Sequence, residues 1–317
     1  NATGVYAIGT TGALIGGTAA GTGNLISGNQ SFGIQVSSAP AMLIQGNRIG
    51  TRPDGLTALP NSLGIYLSSA ATVGGVAAGA GNILARNASD GVAVAGGVGS
   101  VIRGNSIFGN GGLGIDLSDN GRSPNDLNDS DAGPNLTQNF PVLIAATISG
   151  GNLFVTYSVN SDPGNAAYPL TVDFYESDLL GQGRVYLGTN TYTAADFTVG
   201  AKIVNLGNAG VLGVVQPEPL VAVATDSGAN SSEFSDARLV GIGGPTAFTV
   251  NTVNDGDDGL CDIVHCSLRE ALQYANLNSG FADTIPFNIP GPPPFSIAPA
   301  SPLPVITDPV TVNAATQ

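Results

Sequence analysis

The sequence predicts an all-β chain in three parts: a parallel β-helix with an acidic exit loop over 1–138, an antiparallel β-sandwich over 139–244, and a segment of strands with one short helix over 245–317 that caps a β-helix. Three observations predict it. Phrases recur at a fixed offset in the first third, alternating strands of a different spacing fill the middle, and a single strong helix signal sits near the C-terminus.

The repeat is read directly. GTAAGTGN (17–24) returns as GVAAGAGN (75–82), and IQGNRI (44–49) returns at the same offset as IRGNSI (102–107). A finer beat, GVYAIG, GIQVSS, GIYLSS, GVAVAG and GIDLSD, begins at 4, 33, 64, 91 and 114. Short alternating strands at this period suit stacked coils, because one coil cannot bury its apolar face alone. Ile, Val and Leu at every second position point inward. Asn24, Asn47, Asn82 and Asn105, each after a glycine, suit left-handed corners, and stacked Asn side chains can also form hydrogen-bonded ladders.

From about 139 the pattern changes to NLFVTYSVN, TVDFYES, RVYLGTNTY, AKIVNLG and LVAVATDS, strands separated by polar turns over about a hundred residues. That spacing predicts the sandwich. Asp173, Glu176 and Asp178 read as a solvated acidic face, and Tyr157, Tyr175, Tyr186 and Tyr192 either pack between sheets or line a sugar platform. At the helix, Ser267 and Glu270 form a capping box, while Leu268, Ala271, Leu272 and Ala275 make one apolar stripe. After it, PFNI, FSIAP, PVIT and VTVNA read as β-helix strands.

Composition narrows the function. Only 10% of residues are charged and the net charge is −14, which argues against nucleic acid and anionic membrane partners. No apolar run approaches a membrane span. The chain opens at Asn1 rather than Met, so it is expected to be processed or part of something longer. Abundant Gly, Ser, Thr and Asn with few charges are common in secreted and surface proteins.

Wording such as IQGNRIGT and SIFGNGGLGIDLSDNGRSPNDLNDSDAGPNLTQNFPVL, over roughly 1–142, resembles the right-handed parallel β-helix repeats of large bacterial surface proteins. The resemblance implies a pectate-lyase-like solenoid, not that activity. ATDSGANSSEFSDARLV is similar to the Ig-like modules that follow such solenoids. CSLREA at 266–271, with TAFTVNTVNDGDDGLC before it and ADTIPF after it, resembles the segment named for its Cys-Ser-Leu-Arg-Glu-Ala signature, which in its family opens a β-helix as an N-terminal cap. Here that cap follows the coils instead of preceding them.

The expected function is therefore an extracellular structural protein, a subunit of a self-assembling surface fibre joined head to tail. In it, the cap of one copy, through Leu268, Leu272, Val310 and Val312, covers the first coil of the next at Val5 and Ala7. A fragment of a large surface adhesin, or a protein that binds extracellular glycans, is the first alternative. A polysaccharide lyase or glycoside hydrolase is the second, with Asp54, Asp90, Asp116, Asp119 and Arg103 as the few candidates. No histidine occurs in the repeats and there is no tryptophan to stack on sugars, so an enzyme is not expected.

Cys261 and Cys266 read as a disulfide of an oxidising compartment. A metal site with His265 is the rival, with three ligands where structural zinc takes four. Sequons stand at Asn1, Asn29, Asn87, Asn128, Asn135 and Asn230. No cofactor is expected beyond Ca²⁺, for which Asp126, Asp129 and Asp131, or Asp255, Asp257 and Asp258, offer hard oxygen ligands.

Overall fold

A computed structural model describes residues 1–241, 246–257, 261, 263–278 and 281–317. The five beats of the sequence become the five strands of one parallel sheet: β1 (Val5–Ile8), β4 (Phe32–Ser37), β7 (Leu63–Leu67), β10 (Val92–Val94) and β13 (Ile115–Leu117). Val5 faces Ile34, Ile34 faces Ile65, Ile65 faces Val92 and Val92 faces Ile115. A second parallel sheet holds β2 (Leu14–Gly16), β5 (Met42–Gln45), β8 (Ala71–Gly74) and β11 (Val101–Arg103). The third holds β3 (Leu25–Ile26), β6 (Arg48–Ile49), β9 (Ile83–Ala85) and β12 (Ser106–Phe108). Inward Ile34, Ile44, Ile49, Ile65, Val73 and Leu84 are fully buried, the shared core that stacking predicts.

The corners work differently from the sequence reading. At IQGN and IRGN the left-handed backbone falls on the glycine, Gly46 (φ 69°) and Gly104 (φ 63°), and Asn24, Asn47, Asn82 and Asn105 keep ordinary backbone. Glycine takes that conformation without a Cβ clash, which leaves each Asn free to use its amide. The amides do form ladders. The N–H and Nδ2 of Asn24 donate to Oδ1 of Asn47, those of Asn47 to Asn82, and those of Asn82 to Asn105, all at 2.9–3.1 Å.

The sandwich pairs a sheet of β14 (Val142–Ser149), β15 (Asn152–Ser158) and β18 (Lys202–Asn208) with one of β16 (Leu170–Ser177), β17 (Gly183–Tyr192), β19 (Pro219–Thr225) and β20 (Arg238–Leu239). All pairs within both sheets are antiparallel. Two short helices, α1 (Ala194–Val199) and α2 (Ala209–Leu212), lie in its connections. Thr193 and Asp196 form the capping box of α1, a helix signal the sequence carries at 193–196.

The C-terminal part contains α3 (Leu268–Leu277), β21 (Asp283–Pro286) and β22 (Val310–Asn313). Ala247 and Val250 bridge in parallel to Thr284 and Phe287, and β21 pairs in parallel with β22. FSIAP and PVIT are not strands. Prolines at 290, 292–294, 299, 302 and 304 remove the N–H groups that a ladder there needs. Among the described residues no helix is long and apolar enough to cross a membrane.

Candidate functional site

The two ends of the solenoid are where this chain departs from a plain stack of coils. At the downstream end the sandwich acts as a lid. Strand β19 is buried along its whole length: Leu220, Ala222 and Ala224 face the sandwich core, while Val221 and Val223 join the solenoid core together with Tyr175 and Phe234. The Phe234 ring lies so close to the last coil that a Cβ on Gly114 would sit 2.7 Å from it. The continuous apolar run LVAVA was the sequence signal for a strand covered on both faces.

Polar groups complete the closure. The Leu117 N–H donates to Glu233 Oε1 (3.0 Å), Ile102 N–H to Ser231 Oγ (2.9 Å), Gly104 N–H to the Tyr175 hydroxyl (2.8 Å) and Gly109 N–H to Asp178 Oδ2 (2.6 Å). A second ladder runs Asn29, Asn61, Asn87, Asn110. It ends on Gln182, whose Oε1 accepts both the N–H and Nδ2 of Asn110 and whose Nε2 donates back to the Asn110 and Gly112 carbonyls. Gln182 stands where the next coil's Asn would stand.

Carboxylates expected on a solvated face are part of this closure. Asp173 is fully buried and takes a bidentate pair from Arg103 at 2.6 and 2.8 Å, a hydrogen bond that raises the Arg103 pKa. Glu176 is buried and pairs with Arg184. Burial pushes Asp178 up. It also pushes Glu233 up to about 7, against the N–H groups of Leu117 and Ser123 and the charge of Arg122.

The upstream end has no such lid among the described residues. Strands β1, β2 and β3 each pair on one side only. Tyr6 is 53% exposed, Ile8 59%, Leu14 55% and Leu25 47%. Val5 and Ala7 turn inward to the core, Ala7 buried and Val5 partly so.

The C-terminal helix is not a free lid. Its apolar face packs on its own segment: Ala271, Leu272, Tyr274 and Ala275 share a core with Phe248, Val250, Ile285 and Phe287, with Leu268 and Val310 against it. Leu268, Leu272 and Val310 are thus internal packing residues, which corrects the expectation that they cover another copy. The stripe found its partner within 246–310, and that core also takes in Leu179 and Leu239 of the sandwich. Val312 stays 48% exposed. The capping box of Ser267 and Glu270 is formed.

Cys261 and Cys266 are joined as a disulfide. His265 has its Nδ1 3.0 Å from Glu270 Oε2 and its Nε2 2.9 Å from Asn254 Oδ1, so the metal alternative loses its ligands. Asp255 holds Arg269 in a bidentate pair (3.1 and 2.7 Å) and accepts the Ala300 N–H, so both its oxygens are engaged within the protein. Asp257 takes a long bond from Gln273 Nε2 (3.3 Å), and Asp258 lies outside the described residues. Asp126, Asp129 and Asp131 do converge, with one carboxylate oxygen each within 4.8 Å of the others. Asp126 and Asp129 are already acceptors, for Ser130 and for Gln138 and Asn139. Burial pushes Asp129 up to about 6. The three are a donor set that a hard cation accepts, partly committed to the protein.

Four sequons are corrected. Asn29 and Asn87 are ladder members, Asn135 Nδ2 donates to the Ser100 and Ser231 carbonyls, and Asn230 Nδ2 donates to Asp226. All four are buried, so their amides are committed inside. Asn1 is exposed and Asn128 half-buried.

Four of the five enzyme candidates, Asp54, Asp90, Asp116 and Arg103, are engaged as acceptors or in an ion pair. Asp54 staples its own loop through Leu56 and Thr57, hydrogen bonds that lower its pKa to about 2. Asp90 accepts the Leu113 N–H and Asp116 those of Asn120 and Gly121. Asp119 stands at the surface, where partial desolvation and the nearby charge of Asp90 raise its pKa. Tyr157, Tyr175 and Tyr192 are buried in cores and Tyr186 half-buried, so no platform forms.

No curated protein matches the chain. Residues 2–129 match the family model described as a right handed beta helix region, so the stretch that ends under the sandwich is similar to that family in sequence as well as in its parallel coils.

Proposed function

We propose that this chain is a structural module of an extracellular surface protein that associates end to end through its open first coil. The observation that carries the reading is the asymmetry of the solenoid, with a built lid on one end and exposed Tyr6, Ile8, Leu14 and Leu25 on the other. An uncovered strand edge with apolar flanks templates pairing. The β-helix and the disulfide are compatible with an extracellular setting. The internal commitments of Asp54, Asp90, Asp116 and Arg103 support a non-catalytic role.

Sedimentation velocity on a dilution series, with negative-stain microscopy, tests this. The expected result is growth along one axis with a repeat of one molecule. A single monomer peak across the whole series sinks the reading.

A further inference from the structure

We infer that the chain also forms a two-fold dimer, separate from the end contact. In it the open edge of residues 247–249 pairs antiparallel with the same edge of a second copy, and Ile263 of each copy fills a groove on the other. This edge lies inside the chain, between the sandwich and α3. Phe248 and Val250 donate to the Thr284 and Pro286 carbonyls, and Thr284 and Asn288 donate to those of Thr246 and Val250, all at 2.9 Å. Successive residues of a strand aim their N–H and C=O groups at opposite edges, so those of Ala247 and Thr249 face away from β21. Among the described residues no hydrogen bond reaches them, and Ala247 is exposed.

Another internal edge is guarded where this one is not. Strand β18 also ends its sheet, but Lys202, an extra residue at Leu206 and the bond from the Gly207 N–H to Asn205 Oδ1 (2.9 Å) blunt it. Charges and bulges are the devices that keep natural edges from pairing. Residues 246–254 hold no charged residue, proline or glycine.

A knob and a hole stand beside that edge. Ile263 is 98% exposed and Val264 84%, in the loop that the Cys261–Cys266 disulfide closes. A closed loop loses less freedom when its tip is buried against a partner. The groove, of about 410 Å³, is lined by Pro217, Ala247, Phe248, Thr249, Cys261 and Ile263, and no residue of its wall is charged.

These features select a second copy as the occupant. At −14 the molecule repels its like, so two copies meet where neither brings charge to the contact. An isologous contact needs one patch to supply both halves, and Ile263 is at once the protruding residue and part of the groove wall. The free groups set the register. Ala247 opposite Thr249 of the second copy, with the axis at Phe248, uses both N–H and both C=O groups of each copy. Centring on either residue uses only one of each. The contact is small beside the ~1,200 Å² of stable interfaces, so the dimer is expected to exchange with monomer.

Sedimentation equilibrium on the Tyr6→Ser, Ile8→Ser protein, whose end contact is weakened, tests the dimer. The expected result is an equilibrium that stops at two copies and that Ile263→Ser weakens about tenfold, the loss of one anchor side chain. Ile263 stands almost wholly in water, so its replacement leaves the fold intact. The register is read by oxidising a mixture of Ala247→Cys and Thr249→Cys proteins and mapping the linked peptides by mass spectrometry. Hydrogen-bonded partners across an antiparallel pair lie about 5.5 Å apart, within the reach of a disulfide. Identical residues in this register lie about 8 Å apart, beyond it. The mixture should therefore link 247 to 249, and neither protein alone should link to itself. Monomer at every concentration, a dimer indifferent to Ile263→Ser, or linking in the single proteins as strong as in the mixture overturns the inference. None of these outcomes touches the end-to-end reading, which the parent protein tests.

Discussion

At the downstream end of the solenoid β11, β12 and the last strand β13 are met by acceptors from the sandwich, Ser231 Oγ, the Arg184 carbonyl and Glu233 Oε1, whereas among the described residues the upstream strands of the same coil geometry face outward without them. The difference follows the polarity of the Asn ladders. Each Asn donates two hydrogens to the next coil's Oδ1, so the downstream end leaves donors and the upstream end leaves an acceptor. Gln182 answers the donors of Asn110, and Asn29 is where that ladder would receive them. A chain that can build one lid from a tyrosine, a serine, a glutamine and two carboxylates has the means to build another. Under the end-to-end reading proposed above, the first coil is the joining surface.

The largest effect separating the two ends is expected at Asp173. Asp173→Ala leaves the Arg103 guanidinium at the lid without its partner, and removing one member of a buried pair costs about 3–5 kcal/mol. Arg103 keeps 22% side-chain exposure, so the low end applies. Urea unfolding should show a fall of about 3 kcal/mol, and a second transition if the lid lifts before the coils melt. A loss below about 1 kcal/mol would mean that the sandwich rests on the solenoid without holding it.

What could be read in advance and what could not divide along the same line. The beats at 4, 33, 64, 91 and 114 gave the first sheet its register, because inward residues at period two repeat within each strand. Asn29 and Asn87 read as sequons from Asn-Gln-Ser and Asn-Ala-Ser. Their ladder is hidden in the sequence because its steps of 32, 26 and 23 residues vary with the loops between them. Asp173, Glu176 and Asp178 gave no local sign of burial; whether a face of a strand is wet depends on what packs there, and the solenoid end is far away in sequence. The stripe on α3 announced a partner without naming it. Edge, lid and ladder end are long-range facts, and only LVAVA carried a local trace of one.

A smaller effect, on pH, sharpens the comparison. Glu233 is buried under the lid and lifted by burial to about 7, against an ordinary 4.5. The folded state holds a proton that the unfolded state has released, so this contribution is present in full below about 4.5 and is lost as pH rises through about 7. The size is on the order of 2–3 kcal/mol. Asp129 acts with the same sign between 3.8 and about 6. The melting temperature should therefore rise from pH 8 to pH 5. Glu233→Gln keeps an oxygen for the Leu117 N–H and should flatten most of that rise, which differential scanning calorimetry at the two pH values reads. An unchanged slope in the variant would place the titration elsewhere.

The smallest effect on stability is expected at the open end, and there it decides most. Tyr6 and Ile8 stand outward on β1 with more than half their surface in water. Replacing both with serine removes no buried contact, and exposed substitutions fall within about ±0.5 kcal/mol. Tyr175, also a tyrosine but sealed between Phe234 and the last coil, has no such freedom. The double variant Tyr6→Ser, Ile8→Ser should melt with the parent when both are dilute, yet associate at least tenfold more weakly, because apolar flanks that cost nothing to lose in a monomer are what a joined rung would cover. A marked drop in the melting temperature of the dilute variant would show these side chains to be part of the fold's own core, and the contrast between a sealed end and a joining end would fail there.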